Sequence, residues 1–367
     1  MAGEHERRCL AAQRAMATRG VDCLVVAPSS DLIYLAGIAV EPSERLLALV
    51  LLPFGPPTLV LPRLEATKLA EVAAFASLAV WEETEDPVAL VARLVTSLGA
   101  DSPVVAVGER TFAGTLLRLQ RALPEATFVS ADAILAELRL IKSPAEVALM
   151  RAAGAMADEA YVHLLGEKLS GRTETEVADL LAGLLRRAGQ ESVSFVIVGS
   201  GPNSAAPHHA PGGRRLAPGD VVVLDFGGTH EHYQSDMTRT IAVGEPPSAA
   251  KRVYELVAQA QEVAFRTVRP GVTASEVDAA ARAHLTAAGF GDLFIHRTGH
   301  GLGLDVHEEP YIVAGNPLPL REGMVFSIEP GVYLPGEFGV RVEDIVVVTA
   351  DGAERLNNAP REFFSLG

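Results

Sequence analysis

Cysteine is scarce in this chain: among 367 residues only Cys9 and Cys23 occur, and neither has Cys or His at zinc-finger spacing. Two thiols cannot build the disulfide framework of a small secreted domain, so they read as ordinary reduced thiols. Positive charge is short too. There are 31 Lys and Arg against 46 Asp and Glu, a net charge of −15 at pH 7, and such a balance repels phosphate backbones rather than releasing counterions from them. Nucleic acid is not an expected partner. Long apolar runs are also missing. The longest, residues 46–52, stops at Pro53, far short of the ~20 residues a membrane span needs. The opening residues, Met1-Ala-Gly-Glu-His-Glu-Arg-Arg, are charged and lead into no apolar signal-peptide core. The expectation is a cytoplasmic protein with no membrane partner. Low-complexity tracts, charge blocks and short-period repeats are absent as well, which excludes solenoids and disordered tails.

What is present is a chain that is 49% hydrophobic and long enough to split into two domains. Helical periodicity over 6–20 runs into a short apolar strand at 21–27. Further strands are expected at 46–52, 58–61 and 104–107, alternating with helices at 64–76, 88–98 and 111–122. That alternation predicts an α/β domain over 1–132. From 131 to 165 the chain is helix-forming, broken once at Ser143-Pro144, where Ser143, Pro144 and Glu146 form a capping arrangement that starts a new helix. Beyond 133 an α+β domain is expected, running helix, strands, helix, strands, with a plausible internal duplication.

The informative feature lies in the late strands. A four-residue loop at 229–232 would set Asp225 opposite Asp236 in one hairpin. A turn at 334–338 would set Glu329 opposite Glu343 in a second. Like charges directly opposed on a sheet are destabilising, and carboxylates side by side among apolar residues must share a proton, find cations or bind metal. Four carboxylates would be neutralised by two divalent cations. Five of the ten histidines fall in two short windows: His208-His209, and His296, His300 and His307. Glycines at 299, 301 and 303 mark the second window as a site loop that lets backbone and metal approach closely. Oxygen-rich ligation with an imidazole suits Mn, Co, Fe or Zn and leans toward Mn or Co. No Walker A, HExxH, dinucleotide fingerprint or Gly-x-Ser-x-Gly occurs, and Ser200 reads as a turn residue.

Through LDFGG (224–228), SDMTRT (235–240), HRTGHGLGLDVHEEP (296–310), SIEPGVY (327–333) and GVRVEDIVVV (339–348), the chain resembles the pita-bread metallopeptidases. That superfamily includes methionine aminopeptidase, aminopeptidase P and prolidase. The resemblance is strong over 133–367, and 1–132 is similar to a creatinase-type N-terminal domain. It implies a pita-bread catalytic domain of two pseudo-twofold halves. It also implies two divalent metal ions, with Mn expected and Co, Zn or Fe as alternatives, held by Asp225, Asp236, His300, Glu329 and Glu343, with Asp236 and Glu343 bridging. Glu329 would accept the proton of the attacking water. His208 and His307 would polarise the carbonyl, His296 and His307 would flank the substrate, and Arg341 and Tyr333 would hydrogen-bond within the site. His208 matches the family's Leu-Pro-His motif with Ala206 in place of Leu, and His209 beside it leaves the choice open by one residue.

Methionine aminopeptidase is disfavoured, because it lacks an N-terminal domain of this length. Creatinase lacks the metal ligands that are present here. The resemblance therefore implies hydrolysis of Xaa-Pro bonds in small peptides by a homodimer. Xaa-Pro dipeptidase (prolidase) is preferred over aminopeptidase P, which acts on longer chains, and a non-catalytic pita-bread binding protein is the remaining reading. Some prolidases place Arg after the Pro of the His-Glu-x-Pro segment, where this chain has Tyr311.

Overall fold

The computed structural model describes residues 2–367 and divides the chain into two compact units, Met1–Arg139 and Leu140–Gly367. In the first unit six strands form a mixed sheet in the order Ser77–Trp81, Thr58–Pro62, Ala48–Leu51, Cys23–Val26, Val104–Val107, Thr127–Ser130. Their β-branched and aliphatic residues, among them Val25, Val60 and Val105, pack with Trp81 and Val91 into one core. Both cysteines are free and buried. The helix expected over 64–76 is absent. Two short 3₁₀ turns, Arg63–Glu65 and Ala70–Ala74, stand in its place, because Leu64 is 57% exposed and only Leu69, Val72 and Ala76 of that stretch reach the core. Such a thin stripe does not anchor an amphipathic helix. The helix Asp132–Leu140 starts at the expected domain boundary, yet its residues up to Arg139 belong to the first unit. Arg139 there pairs with Asp31 at 2.7 Å.

The second unit opens with the helix Pro144–Leu164, whose Ser143 and Glu146 form a full capping box. Its two halves repeat one plan. Helices Glu174–Arg187 and Ala274–Ala287 both begin with a capping box, from Thr173 and Glu176 and from Thr273 and Glu276. Gly171 and Gly271 precede them with φ of 85° and 87°. Gly171 N–H donates to Leu216 O and Leu216 N–H to Arg172 O; Gly271 N–H donates to Leu320 O and Leu320 N–H to Val272 O. Gly219 and Gly323 then turn the chain with φ of 95° and 86°, and Asp225 and Glu329 follow each of them by the same six-residue interval. The duplication suspected from the sequence is thus repeated in the hydrogen bonds.

Each half supplies a sheet. Met237–Val243, Val221–His230 and Ser192–Ser200 run side by side in the first, and Gly299–Gly301, Val325–Ile328 and Asp344–Val348 in the second. The central strands read as near-continuous apolar runs because each sheet packs against helices. Among the described residues no helix is long and apolar enough to cross a membrane.

The first hairpin departs from the expected register. Its turn has two residues, Glu231 and His232, with φ of 45° and 70°, and His230 pairs with Tyr233. Positive φ at both central residues matches the twist of tight hairpins. The pairing consequently slips by two, and Asp225 faces Thr238, not Asp236. Asp236 falls in the gap between the short strand Tyr233–Gln234 and the strand Met237–Val243. In the second hairpin the chain beyond the turn forms two strands, Phe338–Arg341 and Asp344–Val348. Gly331 pairs with Arg341 in one ladder and Ile328 with Asp344 in the other. Glu329 and Glu343 therefore oppose each other across an interruption in the sheet.

Candidate metal centre

Those interruptions free Asp236, Glu329 and Glu343 from the ladders, while Asp225 stays within its strand. Glu329 N–H donates to Thr298 O at 2.8 Å and Glu343 N–H to Thr238 O at 3.1 Å. The Gly299–Gly301 strand brings in His300. Its Nδ1 lies 3.1 Å from Gly301 O, which leaves Nε2 pointing at the acids, 3.2 Å from Glu329 Oε1 and 3.8 Å from Asp236 Oδ2. Ligand atoms of Asp236, His300 and Glu343 all lie within 4.8 Å of one another. The flanking glycines are required by backbone packing: a Cβ on Gly299 would sit 1.9 Å from Ser327 O, and one on Gly301 2.2 Å from Glu309 O. The segment expected to be a site loop is therefore, over these three residues, a strand wedged between neighbours.

Arg341 closes one side of the cluster. Its Nη2 donates to Asp225 Oδ2 at 2.6 Å, Nη1 to Tyr333 OH at 2.8 Å and to Pro207 O at 3.3 Å, and Nε to Thr238 Oγ1 at 3.0 Å. Thr238 Oγ1 in turn donates to Glu343 Oε2 at 2.7 Å. Tyr333 OH lies 2.8 Å from His296 Nε2. His307 stands edge-on to His300 with ring centroids 4.1 Å apart. The four acids, Arg341, His296, His300 and His307 line a cavity of about 660 Å³ whose walls also include Phe195, Ile197, Pro207 and Val306. His208 faces this cavity, whereas His209 turns away, its Nε2 2.8 Å from Glu174 Oε2.

The electrostatics of the cluster call for cations. Burial, reinforced by Glu343 and Asp225, pushes Asp236 well above the carboxylate range, and burial with Glu329 and Asp225 does the same to Glu343. Asp225 is raised by burial in spite of Arg341. Glu329 moves the other way: burial opposes ionisation, but the bond to His300 and the charges of His300, His296 and Arg341 hold it low. Burial, His300 and Arg297 depress His307 to about 4, so its imidazole is neutral at neutral pH. Asp225 Oδ1, Asp236 Oδ1 and Glu343 Oε1 are buried without a hydrogen-bond partner among the described residues. Buried acceptors without donors are costly. Two of these residues, Asp236 and Glu343, cluster with His300, and Asp225 lines the same cavity, a set that fits a divalent-metal site.

Sequence reasoning passed over the residues that hold the histidines in place. Asp278 is fully buried. It accepts from Thr298 Oγ1 at 2.8 Å and from Arg282 Nε and Nη2, both at 3.0 Å, and Arg282 also donates to Phe294 O and His296 O. Lys142 Nζ, on a side chain only 2% exposed, lies 2.7 Å from Glu308 Oε1, next to His307. Glu174, also fully buried, collects Ser200 N–H and Oγ, Asn203 Nδ2, His209 and Gly212 N–H. Burial would raise Glu174, but the bonds from His209, Ser200 and Asn203 outweigh it and hold its pKa below the usual value. A carboxylate held low in the native state stabilises it at neutral pH, and this contribution is lost as pH falls through the native value. Amide-exchange protection of residues 206–213, corrected for intrinsic rates, should therefore begin to fall below about pH 4.3, the unperturbed glutamate value. Protection unchanged down to about pH 3 would contradict this.

A mixed-sheet N-terminal unit followed by a duplicated α+β unit with an acid-rich, histidine-lined cleft defines a class of metallopeptidase. The chain belongs to metallopeptidase family M24, which residues 148–350 match, and residues 8–141 match the creatinase/prolidase N-terminal domain. A probable dipeptidase, PepE of Mycobacterium tuberculosis, is 47% identical over 363 residues, 98% of this chain and 96% of that protein. The Xaa-Pro dipeptidase of Lactobacillus helveticus is 36% identical over 333 residues, 90% of each chain. Among solved structures, recombinant prolidase from Thermococcus sibiricus matches with a TM-score of 0.94 at 38% identity, covering 99% of both chains.

Proposed function

We propose that the protein is a metal-dependent Xaa-Pro dipeptidase, with Asp225, Asp236, His300, Glu329 and Glu343 holding two divalent ions. The observation that carries this is the clustering of Asp236 and Glu343 with His300, beside Asp225, at a cavity that has an apolar wall, with an oxygen of each of the three acids buried and unpartnered among the described residues. The names of the relatives support the substrate class. When bound, the ions would supply Lewis acidity and a hydroxide nucleophile near neutral pH.

The chain's own residues divide the remaining work. Phe195, Ile197, Pro207 and Val306 form an apolar wall suited to a pyrrolidine ring. Glu329, held ionised, takes the proton of the attacking water and delivers it to the prolyl nitrogen. Neutral His307, with His208, donates an N–H to the scissile carbonyl and to the oxyanion that develops from it. Arg341 fixes Asp225 and, through Tyr333, the ring of His296. The oxygen-rich donor set favours manganese over thiolate-preferring metals. Family resemblance supports a homodimer.

A second reading, aminopeptidase P, is favoured by Tyr311, which stands where some prolidases carry Arg and lies under the Arg297 guanidinium at 4.4 Å. Manganese-loaded protein should hydrolyse Ala-Pro, with release of Xaa from a longer Xaa-Pro peptide at least about tenfold slower, a difference of about 1.4 kcal/mol in barrier. Faster release from the longer peptide would install the second reading. No hydrolysis of either, with less than one equivalent of metal bound, would leave a binding protein.

A further inference from the structure

His208 sits in a turn, Ala206-Pro207-His208-His209, closed by the bond from His209 N–H to Ala206 O at 3.1 Å. Both flanking residues are tied down. Pro207 O accepts from Arg341 at 3.3 Å, and His209 Nε2 meets Glu174 Oε2 at 2.8 Å. The same carboxylate accepts from Gly212 N–H at 3.1 Å, so it grips the segment on both sides of Ala210-Pro211. It also binds Ser200 and Asn203, the start of the loop that leads there.

The duplication offers an internal control. Glu174 N–H bonds Arg214 O and Thr175 N–H bonds Gly212 O; in the second half Ala274 N–H bonds Leu318 O and Ser275 N–H bonds Asn316 O. The backbone frame is therefore the same in both halves, but the residue at the place of Glu174 is Ala274, a buried methyl. Closing this helix-to-loop junction does not require a buried carboxylate. The first half presents His208 to the cavity from the loop this carboxylate grips, whereas the second presents His307 from its own loop, where the neighbouring Glu308 is held instead by Lys142 at 2.7 Å.

We propose that the Glu174–His209 pair is a positioning device for His208, presetting its imidazole against the substrate carbonyl; this rests on the dipeptidase reading. A side chain displaced by even an ångström loses much of its effect on a transition state. Removing the tether should therefore cost turnover only through His208.

The test is a double-mutant cycle on the manganese-loaded enzyme with Ala-Pro, together with hydrogen exchange of residues 206–213. His209→Ala is expected to lower kcat/KM about ten- to a hundredfold, with bound manganese unchanged and exchange of the segment faster. His209→Gln, which keeps an N–H donor at similar reach, should restore most of the activity. In a His208→Ala background, His209→Ala should cost nothing further. An equal loss in both backgrounds would overturn the proposal, since His209 would then act independently of His208, and so would a His209→Ala enzyme as active as wild type. If wild-type protein leaves Ala-Pro intact, the dipeptidase reading falls separately; the exchange comparison still shows whether His209 fixes the segment.

Discussion

Asp236→Asn removes bound metal, lowers kcat/KM on Ala-Pro at least about a thousandfold, equivalent to about 4 kcal/mol, and leaves the metal-free protein melting higher than metal-free wild type. The first two effects follow from its position. Asp236 shares a 4.8 Å cluster with His300 and Glu343, and its Oδ1 has no hydrogen-bond partner among the described residues, so an amide in its place would weaken the proposed metal ligand. The third effect follows from the charges. Asp225, Asp236, Glu329 and Glu343 are all buried or nearly so around one cavity, and each ionised neighbour disfavours the next. Neutralising one of the four removes repulsion that only cations otherwise offset. Metal binding stabilises wild type in proportion to the logarithm of free-ion excess, about 4 kcal/mol per site at a thousandfold excess over Kd. The variant should lose that dependence. Thermal melts in chelator and in manganese, with metal content by elemental analysis, read all three effects. Retained turnover, or a variant less stable than wild type in chelator, would overturn the assignment of Asp236.

Arg239→Met should cost about 3–5 kcal/mol of folding stability, the range for breaking one partner of a buried ion pair. Arg239 has no solvent exposure, and every donor is spent. It bonds Asp344 Oδ1 at 2.7 Å, Thr238 O at 2.9 Å, Glu343 O at 2.5 Å, Ala359 O at 3.1 Å and Pro360 O at 3.0 Å. Methionine fills much of the volume but supplies none of these donors. Arg355 and Arg361 still approach Asp344 at 3.2 Å and Thr238 O still accepts from Glu343 N–H, so these keep some compensation while the carbonyls of Glu343, Ala359 and Pro360 lose the Arg239 donors. Arg239→Lys retains the charge but not the fork, and should fall between methionine and wild type. Urea denaturation of the chelated proteins measures both. A loss under about 1 kcal/mol for methionine, the ordinary net worth of a single hydrogen bond, would show that water or rearrangement replaces the fork.

How much was legible in the sequence depended on how local the cause was. The cap at Ser143 lies three residues from Glu146, whose N–H it satisfies, and it opens the helix it announces. The acids and His300 were legible as candidates because carboxylates among apolar β-branched residues have few explanations. The register of the first hairpin was not, because a two-residue turn with positive φ at Glu231 and His232 lacks the Asn-Gly signature that usually marks it. The supporting groups were hidden in another way. Glu174 looks like a first-turn acid on a helix, and Asp278 with Arg282 like an ordinary surface pair one turn apart. Their partners at 209, 212, 296 and 298 lie 14 to 38 residues away, and only folding brings them together.

The wedge of Gly299 and Gly301 around His300 separates two kinds of constraint that look identical in a sequence. With 1.9 Å and 2.2 Å to the nearest carbonyl oxygens, a methyl group at either glycine must move a neighbouring strand. Substitution there is refused by geometry alone, whatever the chain is asked to do. His300 between them is refused only by chemistry, since a side chain of similar bulk would fit the same strand. A library selected for accumulation of folded protein should thus purge changes at 299 and 301 while tolerating some at 300. One selected for turnover should purge all three, so two adjacent invariances would have different origins.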